Sequence, residues 1–152
     1  MTGFHWYFGV VQASAGAAAL SISVVDGEGG TSATTELESP AAAGTLNFPF
    51  GDLGITLTAT ASGGAGGNSF AWTNTELSDS DGAGGTGVWS VGSTGTTNQA
   101  TYDDMAISCN VSGGSAGQEM TAQYRITCTV TDSAGATASA NFTLNLRAII
   151  SE

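Results

Sequence analysis

The sequence contains no lysine, and its only strong cations are Arg125 and Arg147. Set against 13 acidic residues they leave a formal net charge of -11, which excludes partners whose surfaces are anionic, phosphate backbones and acidic lipid headgroups included. Neither nucleic-acid binding nor membrane insertion is expected. A single histidine, His5, is all the chain offers for imidazole chemistry. A serine triad or a Cys/His pair would have to recruit it from an aromatic terminal segment, Schiff-base chemistry has no lysine, and the usual zinc ligand sets cannot be assembled. The carboxylates sit mainly in turns and near the termini, a poor setting for paired-carboxylate hydrolysis. No catalysis is expected. Large apolar residues are scarce as well: Leu, Ile, Val and Phe make up roughly 18% of the chain, under the ~20% that signals disorder when net charge is high. Charged residues are only 10% of the total, however, so self-repulsion is mild.

What is present is glycine, 23 residues of it, and short alternating runs. Leu20, Ile22 and Val24 alternate with serines; Ile55, Leu57, Ala59 and Ala61 alternate with threonines. Phe70 and Trp72 flank Ala71, and Trp89 and Val91 flank Ser90. Ile107, Cys109 and Val111 make a further run. Tyr124, Ile126, Cys128 and Val130 alternate with Arg125, Thr127 and Thr129, and Phe142, Leu144 and Leu146 with Thr143 and Asn145. Each reads as a half-buried strand. Glycine-rich or Asp-Gly turns lie between them, and no window carries an apolar stripe of helical period. The expectation is an all-β, antiparallel sandwich over residues 45–148, with residues 1–44 an N-terminal extended arm or hairpin and residues 149–152 a tail. Its expected core is Leu57, Trp72, Tyr124, Ile126, Val130, Phe142 and Leu144. The opening segment is a poor secretory signal, because no basic residue precedes its short apolar run and His5 interrupts it.

The stretch Tyr124 to Thr137, Tyr-Arg-Ile-Thr-Cys-Thr-Val-Thr-Asp-Ser-Ala-Gly-Ala-Thr, resembles the penultimate strand and closing turn of polycystic-kidney-disease-type (PKD-like) and related Ig-like domains. Leu57 to Gly64 and Phe70 to Thr73 are similar to the early strand and core tryptophan of the same domains. The resemblance spans roughly residues 46 to 147 and implies the sandwich fold, which hosts many unrelated roles. Where antibody domains carry a cysteine two residues after the tyrosine, this chain has Ile126.

Several motifs have a chemical and a plain reading. Cys109 and Cys128 make one disulfide in an oxidising setting or stay small buried thiols in a reducing one. Asp79 and Asp81, with Asp103 and Asp104 from another loop, offer oxygen ligands to calcium. Ala83 and Ser90 stand where an EF-hand loop needs a ligand and a bidentate glutamate, so a solvated acidic turn is the simpler reading. Gly82 to Gly87 fits a dinucleotide-loop glycine pattern, but a β-like segment follows where a helix is required. Trp72 and Trp89 are core residues or sugar-stacking platforms, and their alternation with small polar residues favours the core.

Four of the 12 aromatic residues crowd into Phe4, Trp6, Tyr7 and Phe8, followed by Val10 and Val11. Aromatics on both faces of one strand cannot all enter a small core, so the segment is expected to be sandwiched between layers or to contact another chain. Sheet edges point the same way. Without lysine, and with Pro40 and Pro49 as the only prolines, the edges need glycine bulges or neighbouring subunits to cover them. Short chains joining an Ig-like sandwich to an assembly arm are similar to bacteriophage virion components. That likeness implies a non-enzymatic capsid-decorating (cement) or tail accessory protein in the virion, assembled in the host cytoplasm. Its partners would be the major capsid protein, tail proteins or copies of itself. The alternative is an extracellular or cell-surface adhesive module that binds carbohydrate or protein through its loops and Trp89.

Overall fold

The computed structural model describes residues 18–39, 43–49, 55–80, 85–93, 99–102, 105–113 and 116–150. Its strands are β1 (Ser21–Val25), β2 (Ser32–Ser39), β3 (Ala43–Pro49), β4 (Leu57–Ser62), β5 (Ser69–Ser80), β6 (Gly85–Ser93), β7 (Thr101–Tyr102), β8 (Met105–Gly113), β9 (Glu119–Thr131) and β10 (Thr137–Ile150). Hydrogen bonding orders them into one four-stranded sheet, β2-β10-β9-β5, and two three-stranded sheets, β1-β4-β7 and β3-β8-β6.

β9 and β10 are the centre of the molecule because their period-2 pattern is the longest. Met120, Ala122, Tyr124, Ile126, Cys128 and Val130 of β9 and Phe142, Leu144, Leu146, Ala148 and Ile150 of β10 are all buried. Their register sets large against large in the middle, Phe142 beside Ile126 and Leu144 beside Tyr124, and large against small further on, Leu146 beside Ala122 and Met120 beside Ala148. Val24 of β1, Leu57 and Ala59 of β4, Trp72 of β5, Trp89 of β6, Tyr102 of β7 and Ile107, Cys109 and Val111 of β8 complete one apolar cluster. The core therefore lies between the four-stranded sheet and the two smaller ones, as in a sandwich. On the outer face of β9 and β10, polar side chains satisfy one another. Thr127 Oγ1 donates to Asn141 Oδ1 at 2.8 Å, Gln123 Nε2 donates to Asn145 Oδ1 at 2.9 Å, and the Thr129 and Ser139 hydroxyls are 2.8 Å apart.

Four expectations change here. The boundary expected at residue 44 is absent, because β1 pairs antiparallel with β4 and β2 pairs with β10, which draws residues 21–39 into the sandwich. Nor do β1 and β2 form a hairpin; they leave one turn for two different sheets. The β2–β10 ladder is parallel, so the sandwich is mixed and not wholly antiparallel. Finally, the tail begins after Ile150, since Ile149 pairs with Glu119 and Ile150 is buried.

Two turns share one device. Asp26 Oδ1 accepts from the Glu28 and Gly30 N–H groups, and Asp132 Oδ1 accepts from those of Ala134 and Ala136. In both, the backbone closes between the aspartate and the fourth residue on, with Gly29 and Gly135 at φ +86° and +83°. Aspartate side chains favour such turns by bonding their own backbone two residues on.

Candidate functional site

The arm residues Phe4, Trp6, Tyr7, Phe8, Val10 and Val11 lie outside the described residues, as do Asp81, Asp103 and Asp104. Asp79 is exposed, and it lies in β5 opposite Ala122 instead of in the flexible loop a calcium site would use. Among the described residues, no three His, Cys, Asp or Glu side chains converge as a metal site would require. Gly85 to Gly87 open β6, so a strand stands where a dinucleotide loop would need a helix N-terminus.

Both tryptophans expected in the core or at a sugar site are buried. Trp72 stacks on Tyr102 with ring centroids 5.1 Å apart, and its Nε1–H donates to the Gln99 carbonyl at 2.8 Å. Asn74 Nδ2 donates to Tyr102 Oη at 3.3 Å. Trp89 packs from β6, where its buried Nε1–H has no acceptor among the described residues. A ring enclosed in this way is no sugar platform, which removes the carbohydrate contact expected of Trp89.

No disulfide joins Cys109 and Cys128; both are buried thiols. Burial pushes the Cys128 thiol up to about 11, against a smaller downward pull from a backbone hydrogen bond with Ala71. Thiolates react, buried thiols do not. Neither cysteine should therefore modify with a thiol reagent at neutral pH until denaturant unfolds the domain, and both should then modify together. Early modification of either one, followed by mass spectrometry under native conditions, would contradict this placement.

Several carboxylates of the described region serve as fasteners. Arg147 on β10 bonds Glu36 of β2 and Glu119 of β9, clamping three neighbouring strands and holding the Glu119 carboxyl below its ordinary value. Tyr124 Oη donates to Glu76 Oε2 at 2.6 Å, and burial first, then that bond, pushes the phenol well above its usual range. Asp132 ties two loops together, its Oδ2 accepting from Ala65 N–H at 2.9 Å while Ser133 N–H donates to the Gly66 carbonyl. The Ala65 and Ala136 N–H groups lead in holding its carboxyl below the ordinary range.

A depressed folded pKa means stabilisation that is present above the unfolded value, near 4, and lost as pH falls through the folded one. Asp132→Asn is accordingly expected to lower the thermal midpoint at pH 7 by roughly 5 °C. That gap should narrow as the pH approaches 3. A gap independent of pH, measured by thermal melts of both proteins, would show that the charge is not what these N–H groups hold.

Of the surface hollows, one of about 300 Å³ is lined by Thr34, Ser78, Gln123, Asn145 and Arg147, among others. It brings together no nucleophile and base. Sheet edges are more distinctive, and their guards were not legible in the sequence. β5 has a register shift between Glu76 and Ser78, with Glu76 set opposite buried Tyr124, so a bulge and a carboxylate protect this edge without lysine. Of the two edge guards expected, glycine bulges or neighbouring subunits, β5 has a bulge, though not one built on glycine. The bulge forms at Leu77, where no glycine marks it.

No protein-family model matches the sequence, and no curated protein matches it. Among solved structures, the chain is similar to the ASH/PapD-like domain of human CEP192 (PapD-like domain 7). Identity is 10% and the TM-score 0.35, over 86% of this chain and 87% of that one. By its own sheets and core, the chain is an all-β sandwich with mixed parallel and antiparallel pairing. Among the described residues, no helix is long and apolar enough to cross a membrane.

Proposed function

We propose that this protein is a non-enzymatic structural component that assembles through its N-terminal arm, most specifically a capsid-decorating or tail accessory protein of a bacteriophage virion. The observation that carries the reading is the separation of two chemistries along the chain. Residues 1–25 contain no acidic side chain and hold the Phe4 to Val11 cluster, whereas all 13 acidic residues follow from Asp26 onward. In the described body Glu36, Glu119, Glu76 and Asp132 fasten strands and turns. A body of this kind stays dispersed by charge, while an uncharged aromatic arm supplies contact area. Burying one large aromatic side chain contributes roughly 1.5–3 kcal/mol, so three or four at a repeated contact sustain assembly after the ordering costs.

Deletion of residues 1–12 should leave a cooperatively melting β-domain that no longer incorporates into particles. Particle sedimentation with and without the arm is the measurement. Normal incorporation of the shortened chain would overturn the reading.

A further inference from the structure

The open edges of the sandwich differ in how they are protected. The four-stranded sheet ends on β2, which carries Glu36 and Glu38 and is followed by Pro40, and on β5, with its bulge, Glu76 and Asp79. In the smaller sheets β1 and β7 are short, and β3 ends on Pro49. β6 has none of these devices. Its nine residues, Gly-Thr-Gly-Val-Trp-Ser-Val-Gly-Ser, include no charge and no proline, and it keeps unbroken register with β8. Val88 stands 67% exposed on it, and among the described residues β6 pairs with β8 alone. An edge that is regular, uncharged and partly apolar is a template for another strand.

We propose that the β6 edge receives residues Phe4–Val11 of a neighbouring copy as an added strand, an inference that rests on the arm-docking reading above. Charge and reach select this occupant. A second body at -11 repels the first, but residues 4–11 bring no negative charge, and His5 adds a positive one when protonated. Residues 12–17, which join this segment to the described body at Ala18, span at most roughly 20–22 Å if extended, enough to cross to a body in contact but not to pass around a domain roughly 40 Å across. The aromatic and β-branched side chains of Phe4–Val11 favour extended backbone. Main-chain hydrogen bonds along β6 would supply affinity, and alternate arm side chains would cover Val88. Such a contact is heterologous, so copies form a ring or an open row.

Analytical ultracentrifugation of the full-length chain, with amide exchange resolved by strand, tests this. The expected result is concentration-dependent association, with β6 amides protected in the associated form. Val88→Lys, which sets an ammonium group on the edge, should associate about tenfold more weakly. Val88→Thr, and Leu77→Lys on the guarded β5 edge, should associate as the parent does. The exchange measurement needs no variant, so it stands even if Val88→Lys folds poorly. Undiminished association of a folded Val88→Lys chain, or protection on a different edge, overturns the β6 assignment and leaves arm docking intact. A chain that stays monomeric at millimolar concentration overturns the neighbouring-copy assignment; protected β6 amides in that monomer would mean that the arm folds back on its own body. Failure of arm docking itself is reported separately, by particle incorporation of the chain lacking residues 1–12.

Discussion

Phe142→Ala is expected to destabilise the domain by about 3–5 kcal/mol, the cost of emptying a fully enclosed aromatic site. Phe142 is 0% exposed on β10, paired with Ile126 of β9. β10 has neighbours on both sides, β2 and β9, so the strand cannot shift to fill the void without breaking two ladders. The core is also lean, with small residues such as Ala122, Ala148 and Cys128 at inward positions of the same two strands. Little adjacent bulk is available to collapse inward. Domains of this kind hold about 5–15 kcal/mol in total, so the substitution removes roughly a fifth or more of what there is. Urea unfolding should show a lower midpoint at unchanged slope. Ile149→Ala, on the outward face of the same strand, should lose less than about 1 kcal/mol. Equal losses at the two positions would mean that the inward face has been misassigned.

Gly63→Ala should cost about 2–4 kcal/mol through backbone geometry, with no loss of buried surface. Gly63 lies just after β4 at φ +71°, and a Cβ there would stand 2.2 Å from the Ala19 carbonyl oxygen. The next residue fixes this approach, because Gly64 N–H donates to the Ala18 carbonyl at 2.7 Å. A methyl group would force apart the loop and the entry to β1, so β1 would lose register with β4. Gly66→Ala supplies the control. Its φ is also positive, at +75°, but nothing lies within 4 Å of the added Cβ, so only the left-handed penalty of about 1–2 kcal/mol applies. Thermal and urea midpoints of the two variants separate the contributions; identical shifts would deny the close approach at Ala19.

The strands of this protein were largely legible because alternation is local. Tyr124 to Val130 and Phe142 to Leu146 announce both the period and the inward face, and every residue expected in the core within them is buried. β2 was less legible, since Ser-Ala-Thr-Thr-Glu-Leu-Glu-Ser has little apolar content. It is a strand because β10 lies beside it and Arg147 reaches Glu36. The candidate docking edge was illegible for a related reason. Nothing in Gly85 to Ser93 says that it will end a sheet, because edge position depends on the order in which β3, β8 and β6 assemble. The bulge that protects β5 was equally hidden, appearing only when Glu76 and Ser78 are set against Tyr124 and Gln123.

The paired aspartate turns mark where sequence stops deciding. Asp26-Gly27-Glu28-Gly29-Gly30 and Asp132-Ser133-Ala134-Gly135-Ala136 close with the same hydrogen bonds, since everything they need lies within five residues. The second joins β9 to β10 as a hairpin, whereas the first sends β1 to β4 and β2 to β10. A turn fixes only the local reversal of the chain. Which sheet each arm enters is settled by ladders to strands far along the sequence, and by the apolar faces that those strands must bury together.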